Sequence, residues 1–138
     1  MPENYPEAAG KHAGDCAALL AASRFDGAGY LAGYVVECVL KTLIKVENTA
    51  PPFIHNLAQL SRKAVELASL PSQKTAKYVT RPEDVTILPY GLPTGWQETL
   101  RYEAPGAVSE ATAKDWVAEA QRLYREVIVA MKLDGVPL

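Results

Sequence analysis

From Phe25 to Val46 the chain reads FDGAGYLAGYVVECVLKTLIKV, apolar in nearly every direction around a helix except along one narrow stripe. At about 100° per residue, Tyr30, Tyr34, Glu37 and Lys41 fall on that stripe. A helix that is apolar almost all round is the buried centre of its domain. A Glu and a Lys on such a helix require partners, because an unpaired buried charge is costly. The stripe is therefore the first candidate site.

The rest of the chain reads as helix with almost no strand signal. Helix one is expected over about 6–23, with Ala9, His12, Ala13, Cys16, Leu19, Leu20 and Ser23 along one side. Arg24-Phe25-Asp26-Gly27 reads as a tight corner in which Asp26 caps helix two, expected over 27–47. So short a connection makes helices one and two antiparallel neighbours. Pro51-Pro52 stops helix two. Helix three begins near His55 or Asn56, with Leu57, Leu60, Ala64, Leu67 and Ala68 as its apolar face. Pro71 breaks it, and Ser72 can cap a short continuation to about Val79, so this stretch spans 55–79 with a break at 71.

Over 80–108 the periodicity disappears. Pro82, Pro89, Pro93 and Pro105, with Gly91, Gly95 and Gly106, mark a long irregular loop of a kind that is uncommon in compact domains and often functional. Ser109 then caps the last helix, expected over 110–132, where Ala113, Trp116, Val117, Ala120, Leu123, Tyr124, Val127 and Met131 recur at three and four. The expected architecture is one all-α domain, an up-and-down four-helix bundle with a long loop before the last helix.

Composition narrows the function. The chain has 138 residues, 49% hydrophobic and 22% charged, which fits a single globular domain able to bury its own core. A net charge of −2 argues against a sequence-blind nucleic-acid coat and leaves room for a local basic site. Cys16 and Cys38 sit in apolar helical contexts and read as buried reduced thiols. Together with His12 and His55 they fit no zinc spacing, so neither a metal nor a cofactor is expected. The first residues carry no signal-peptide pattern. Helix two is nearly long enough to span a bilayer, but Glu37 and Lys41 at mid-helix would each cost about 2.5–3.5 kcal/mol there. A cytoplasmic core helix is the expectation, with no membrane partner.

Several residues stand out against ordinary structural roles. Gly29 and Gly33, one turn apart inside a helix, each cost about 1 kcal/mol relative to Ala, and so point to a close neighbour. That neighbour is another helix of the chain or helix two of a second copy. Glu37 and Lys41 form an i,i+4 pair that is either a solvated salt bridge or, with Tyr30 and Tyr34, the wall of a ligand cleft. His55 is a helix-start cap or, alternatively, an acid/base or phosphate contact. His12 reads as a partly buried structural residue. Arg101-Tyr102 lies in the irregular loop between Trp96, Leu100 and Pro105, which suggests a loop pinned to the bundle with Arg101 directed at Glu37 or at a phosphate. No phosphate-binding glycine loop, nucleophile elbow, metalloprotease or dinucleotide motif occurs.

The strings AASRFDGAGY, LAGYVVECVLKTLIK, HNLAQL and LRYEAP, in that order before a final amphipathic helix, resemble the small bacterial HEPN-domain proteins. The resemblance runs from about Ala9 to Met131 and is strongest over Arg24 to Lys45. It implies a helical bundle that commonly dimerises through its core helices. Many members are RNA-cutting toxins of toxin–antitoxin systems or partners of a minimal nucleotidyltransferase, and others are thought to bind nucleotides. Ribonuclease members carry an Arg followed, after four to six residues of any type, by a His. No His follows Arg101, Arg122 or Arg125 at that spacing, and none occurs after His55. Metal-independent RNA cleavage needs a proton acceptor, normally His.

The expected function is accordingly that of a homodimeric, non-catalytic accessory module that binds a nucleotide, RNA or a protein partner, such as a minimal nucleotidyltransferase, through a cleft of Tyr30, Tyr34, Glu37, Lys41, His55, Arg101 and Tyr102. The first rival is a variant endoribonuclease in which His55 and Arg101 are catalytic. The second is a purely structural dimerisation protein.

Overall fold

A computed structural model of the chain describes residues 3–71, 73–79, 88–92 and 94–138. Among these the regular structure is helical: α1 (Tyr5–Ala21), α2 (Phe25–Val46), α3 (Leu57–Ala68), a short 3-10 helix (Glu98–Tyr102) and α4 (Glu110–Leu123). The last helix continues through a π-helical stretch (Tyr124–Val129) into a final α-turn (Ala130–Leu133). The all-helical expectation holds.

The start of each flanking helix has a local cause. Asn4, Asn56 and Ser109 accept hydrogen bonds from the backbone N–H of Glu7, Gln59 and Thr112 and so cap α1, α3 and α4. Helix three is thus capped by Asn56 and not by His55. Helix two begins differently from the expectation. Ser23, with φ of 60°, turns the chain, Arg24 takes the cap position without a side-chain bond, and Asp26 lies inside the first turn. The Asp26 carboxylate instead accepts the N–H groups of Gly106 (2.8 Å) and Val108 (2.9 Å), fastening the approach to α4 onto the start of α2.

Direct contacts give the helix directions. Leu19 lies against Gly27, the His12 ring is 5.9 Å from that of Tyr34, and Lys41 Nζ lies 5.6 Å over the Tyr5 ring, so α1 and α2 run antiparallel. The Gln121 amide donates to Ala13 O (2.7 Å) and Lys132 pairs with Glu7, so α4 runs antiparallel to α1. Small buried residues on α1, Ala9, Ala13 and Cys16, let it lie close on α2. After α2 the chain turns back along that helix, which brings His55 beside Glu37 before α3 starts. Residues 73–79 form turns tied to the Glu47 carboxylate through Thr75, in place of the expected continuation of helix three. Ser72, the whole of 80–87 and Pro93, the last two within the segment expected as loop, lie outside the described residues.

In the last helix the π-stretch widens one turn, so that the sequence neighbours Val127 and Ile128 both face the core. Helix α2 is long and apolar enough to cross a membrane by length and composition, and 78% of its apolar window is buried inside the fold, as in a core helix.

The two mid-helix glycines make room for side chains. A Cβ at Gly33 would fall within the Trp96 indole, and one at Gly29 would lie 2.7 Å from Val108 Cγ1 and 3.3 Å from Trp116 Cε3. At Gly29 the neighbour is helix four of the same chain, through Trp116, with Val108 just before it; at Gly33 it is the Trp96 indole of the irregular segment and not a helix. Trp96 is fully buried and donates its Nε1–H to the Tyr30 carbonyl (2.9 Å). It is the pin that holds the irregular segment on the bundle. Tyr102, by contrast, is exposed.

Candidate functional site

The polar stripe of α2 is built around one carboxylate. Glu37 is only 5% exposed, and its two oxygens are shared between Lys41 Nζ (3.2 Å) and His55 Nδ1 (2.7 Å). The i,i+4 spacing supplies the first contact and the returning chain after Pro51-Pro52 supplies the second. A carboxylate only accepts, so His55 presents Nδ1–H to Glu37 and keeps Nε2 for the outside. The His55 side chain is 45% exposed, which makes it the accessible member of the group. Lys41 is as buried as Glu37.

These residues line a cleft of about 400 Å³ between α1, α2 and the segment before α3. Tyr5 and His12 enter from α1, Tyr34 and Cys38 from α2, and Phe53, 87% exposed, stands at its mouth. Both histidines of the chain therefore belong to one cleft, each ring within 6.0 Å of the Tyr34 ring centre. His12 is the residue that sequence reasoning placed in a structural role. Its helical register relative to Tyr34 was readable only once α1 and α2 were aligned. Burial pushes the Cys38 thiol up to about 12, so it stays protonated and is no nucleophile.

The upper half of the stripe separates from the lower. Tyr30 and Tyr34 share a hydrogen bond (3.1 Å) and stack edge to face, but Tyr30 lies under Trp96 and borders a second, smaller groove of about 200 Å³ with Leu100 and Arg101. Arg101 does not reach Glu37. It is exposed, with its guanidinium 4.8 Å over the Tyr102 ring, and Tyr30 is its other neighbour. The structure thus brings together Tyr34, Glu37, Lys41 and His55, adds His12 and Tyr5, and sets Arg101 and Tyr102 at the far end, linked through Tyr30. Gly33 seats Trp96 against Tyr30 and Tyr34, and Gly29 seats Val108 and Trp116. Among the described residues no group of three or more His, Cys, Asp or Glu is placed to hold a metal ion.

Burial, reinforced by Lys11, holds the pKa of His12 below the usual histidine value. The unfolded chain therefore binds a proton at His12 near pH 6.5 while the folded chain binds it only at lower pH. Stability then falls as pH drops through that window, because the unfolded state holds more protons there. Urea unfolding at pH 7.5 and 5.5 is expected to show a smaller loss on acidification for His12→Gln than for the wild type.

No protein-family model, curated protein or solved structure matches the chain.

Proposed function

We propose that the chain is a HEPN-like accessory module that takes a nucleotide or a single-stranded RNA segment into the α1–α2 cleft without cutting it. The observation that carries this reading is the Lys41–Glu37–His55 group at the foot of a cleft walled by Tyr5, Tyr34 and Phe53. Nitrogen donors beside flat rings suit a ligand that combines a phosphate with a base, since stacking tolerates any base and the donors meet the anion. Glu37 orients His55 and Lys41, the role first expected of it toward Arg101. Arg101, at the other end of the stripe, is the outer phosphate contact. The up-and-down bundle of HEPN type, the homodimer, a nucleotidyltransferase-type protein partner and the cytoplasmic location belong to this reading and rest on the sequence resemblance.

The second reading, a variant endoribonuclease, is favoured by one feature. A carboxylate bound to Nδ1 prepares the other imidazole nitrogen as a base. Incubation with labelled single-stranded RNA, scored for both retention and cleavage, separates the two. We expect retention of intact RNA, weakened about tenfold by His55→Ala, or about 1.4 kcal/mol, and less by Arg101→Ala. Cleavage that disappears in His55→Ala establishes the enzyme. Neither retention nor cleavage, with no binding of free nucleotide and no co-purifying protein partner, leaves the structural dimerisation protein.

A further inference from the structure

Within the cleft, His12 is unusual. Its Nδ1 is enclosed yet has no hydrogen-bond partner among the described residues, and its contact with Tyr34 is through the rings. Enclosed polar atoms are almost always paired, so an unpaired one in a ligand-sized cleft points to a group that arrives from outside. No hydrogen bond fixes the ring in its present turn, and rotation about Cβ–Cγ is soft for histidine.

The charges around His12 set what that group does. On α1 its neighbours are Lys11 and Asp15, which oppose each other. On α2 they are Tyr34, Glu37 and Lys41, with the last two already joined as a pair. His55 faces the cleft from the segment before α3, held by Glu37, and Glu3 lies at the rim against Tyr5. Lys41 and His55 are both tied to Glu37, so these two donors are only partly free for an anion and leave room for a third. A phosphate entering the cleft favours the protonated form of any imidazole it touches.

Resting on the phosphate-ligand reading above, we infer that His12 is the anion contact of the cleft: a ring N–H of His12 donates to a phosphate oxygen, and each ligand carries one proton onto that ring as it binds. His12 is a binding residue, and Glu37 and Tyr34 hold the surroundings that make it receptive.

The probe is an RNA tetra-adenylate without terminal phosphate, whose phosphodiesters do not titrate between pH 6 and 8. Calorimetric titration of the full chain in two buffers of different ionisation enthalpy measures proton uptake directly. Uptake of about half a proton or more at pH 7 is expected, with affinity about tenfold weaker at pH 8 than at pH 6. His12→Asn is expected to abolish most of the uptake and the pH slope, while His55→Ala, although it binds about tenfold more weakly, keeps most of both. His12→Gln serves if the Asn variant melts early. Binding with no uptake, or uptake that follows His55 instead of His12, overturns the inference and leaves the ligand reading standing. No binding at any pH overturns both.

Discussion

Replacing Glu37 with Ala is expected to lower the unfolding free energy by about 3–5 kcal/mol, measured by urea denaturation, because Lys41 is left buried without its partner. His55 loses its anchor in the same step, but it is half in solvent and contributes less. The loss is expected to be strongly non-additive. Glu37→Gln combined with Lys41→Met removes both charges at nearly constant volume and should recover most of the stability, since a buried pair often does no better than an apolar replacement. If Glu37→Ala costs under about 1 kcal/mol, the pair behaves as a solvated surface bridge and its burial is not what the fold shows.

The second large effect centres on Trp96. Trp96→Ala removes a fully buried indole and its bond to the Tyr30 carbonyl, for an expected cost of about 3–5 kcal/mol. Gly33→Ala attacks the same contact from the other side. Its new methyl falls within the indole, so it should cost about 1–3 kcal/mol and shift the tryptophan fluorescence to the red. In the Trp96→Ala background the sign should reverse. With the indole gone, Ala at position 33 gains up to about 1 kcal/mol of helix propensity over Gly. This double-mutant cycle separates a glycine kept for a side chain from one kept for a second backbone.

What the sequence disclosed and what it concealed have physical reasons. The helices were legible because their apolar positions recur at three and four, and Asn56 and Ser109 stand where caps are needed. The stripe Tyr34, Glu37 and Lys41 was legible because spacing alone puts these residues on one face. Asp26 was misplaced because an acidic residue near a helix start serves as a cap or a first-turn residue equally well, and its loop partners at 106 and 108 are far away in sequence. The Glu37–His55 bond and the entry of His12 depend on how the chain returns after Pro52 and how α1 registers on α2. Neither is encoded in any single window of residues. Trp96 as the occupant of the Gly33 gap was hidden for the same reason, since a glycine records that something is close but not what it is.

The proposed ligand site is the cleft, and the chain carries a direct probe of it. It has two histidines, both lining that cleft. Their imidazole carbon-bound protons can be followed by nuclear magnetic resonance as single-stranded RNA is added to the wild-type protein. Both signals are expected to move with a common saturation curve, and His12 to move most. Binding that shifts residues around Arg101 or elsewhere on the surface while both histidine signals stay fixed would contradict the proposed site.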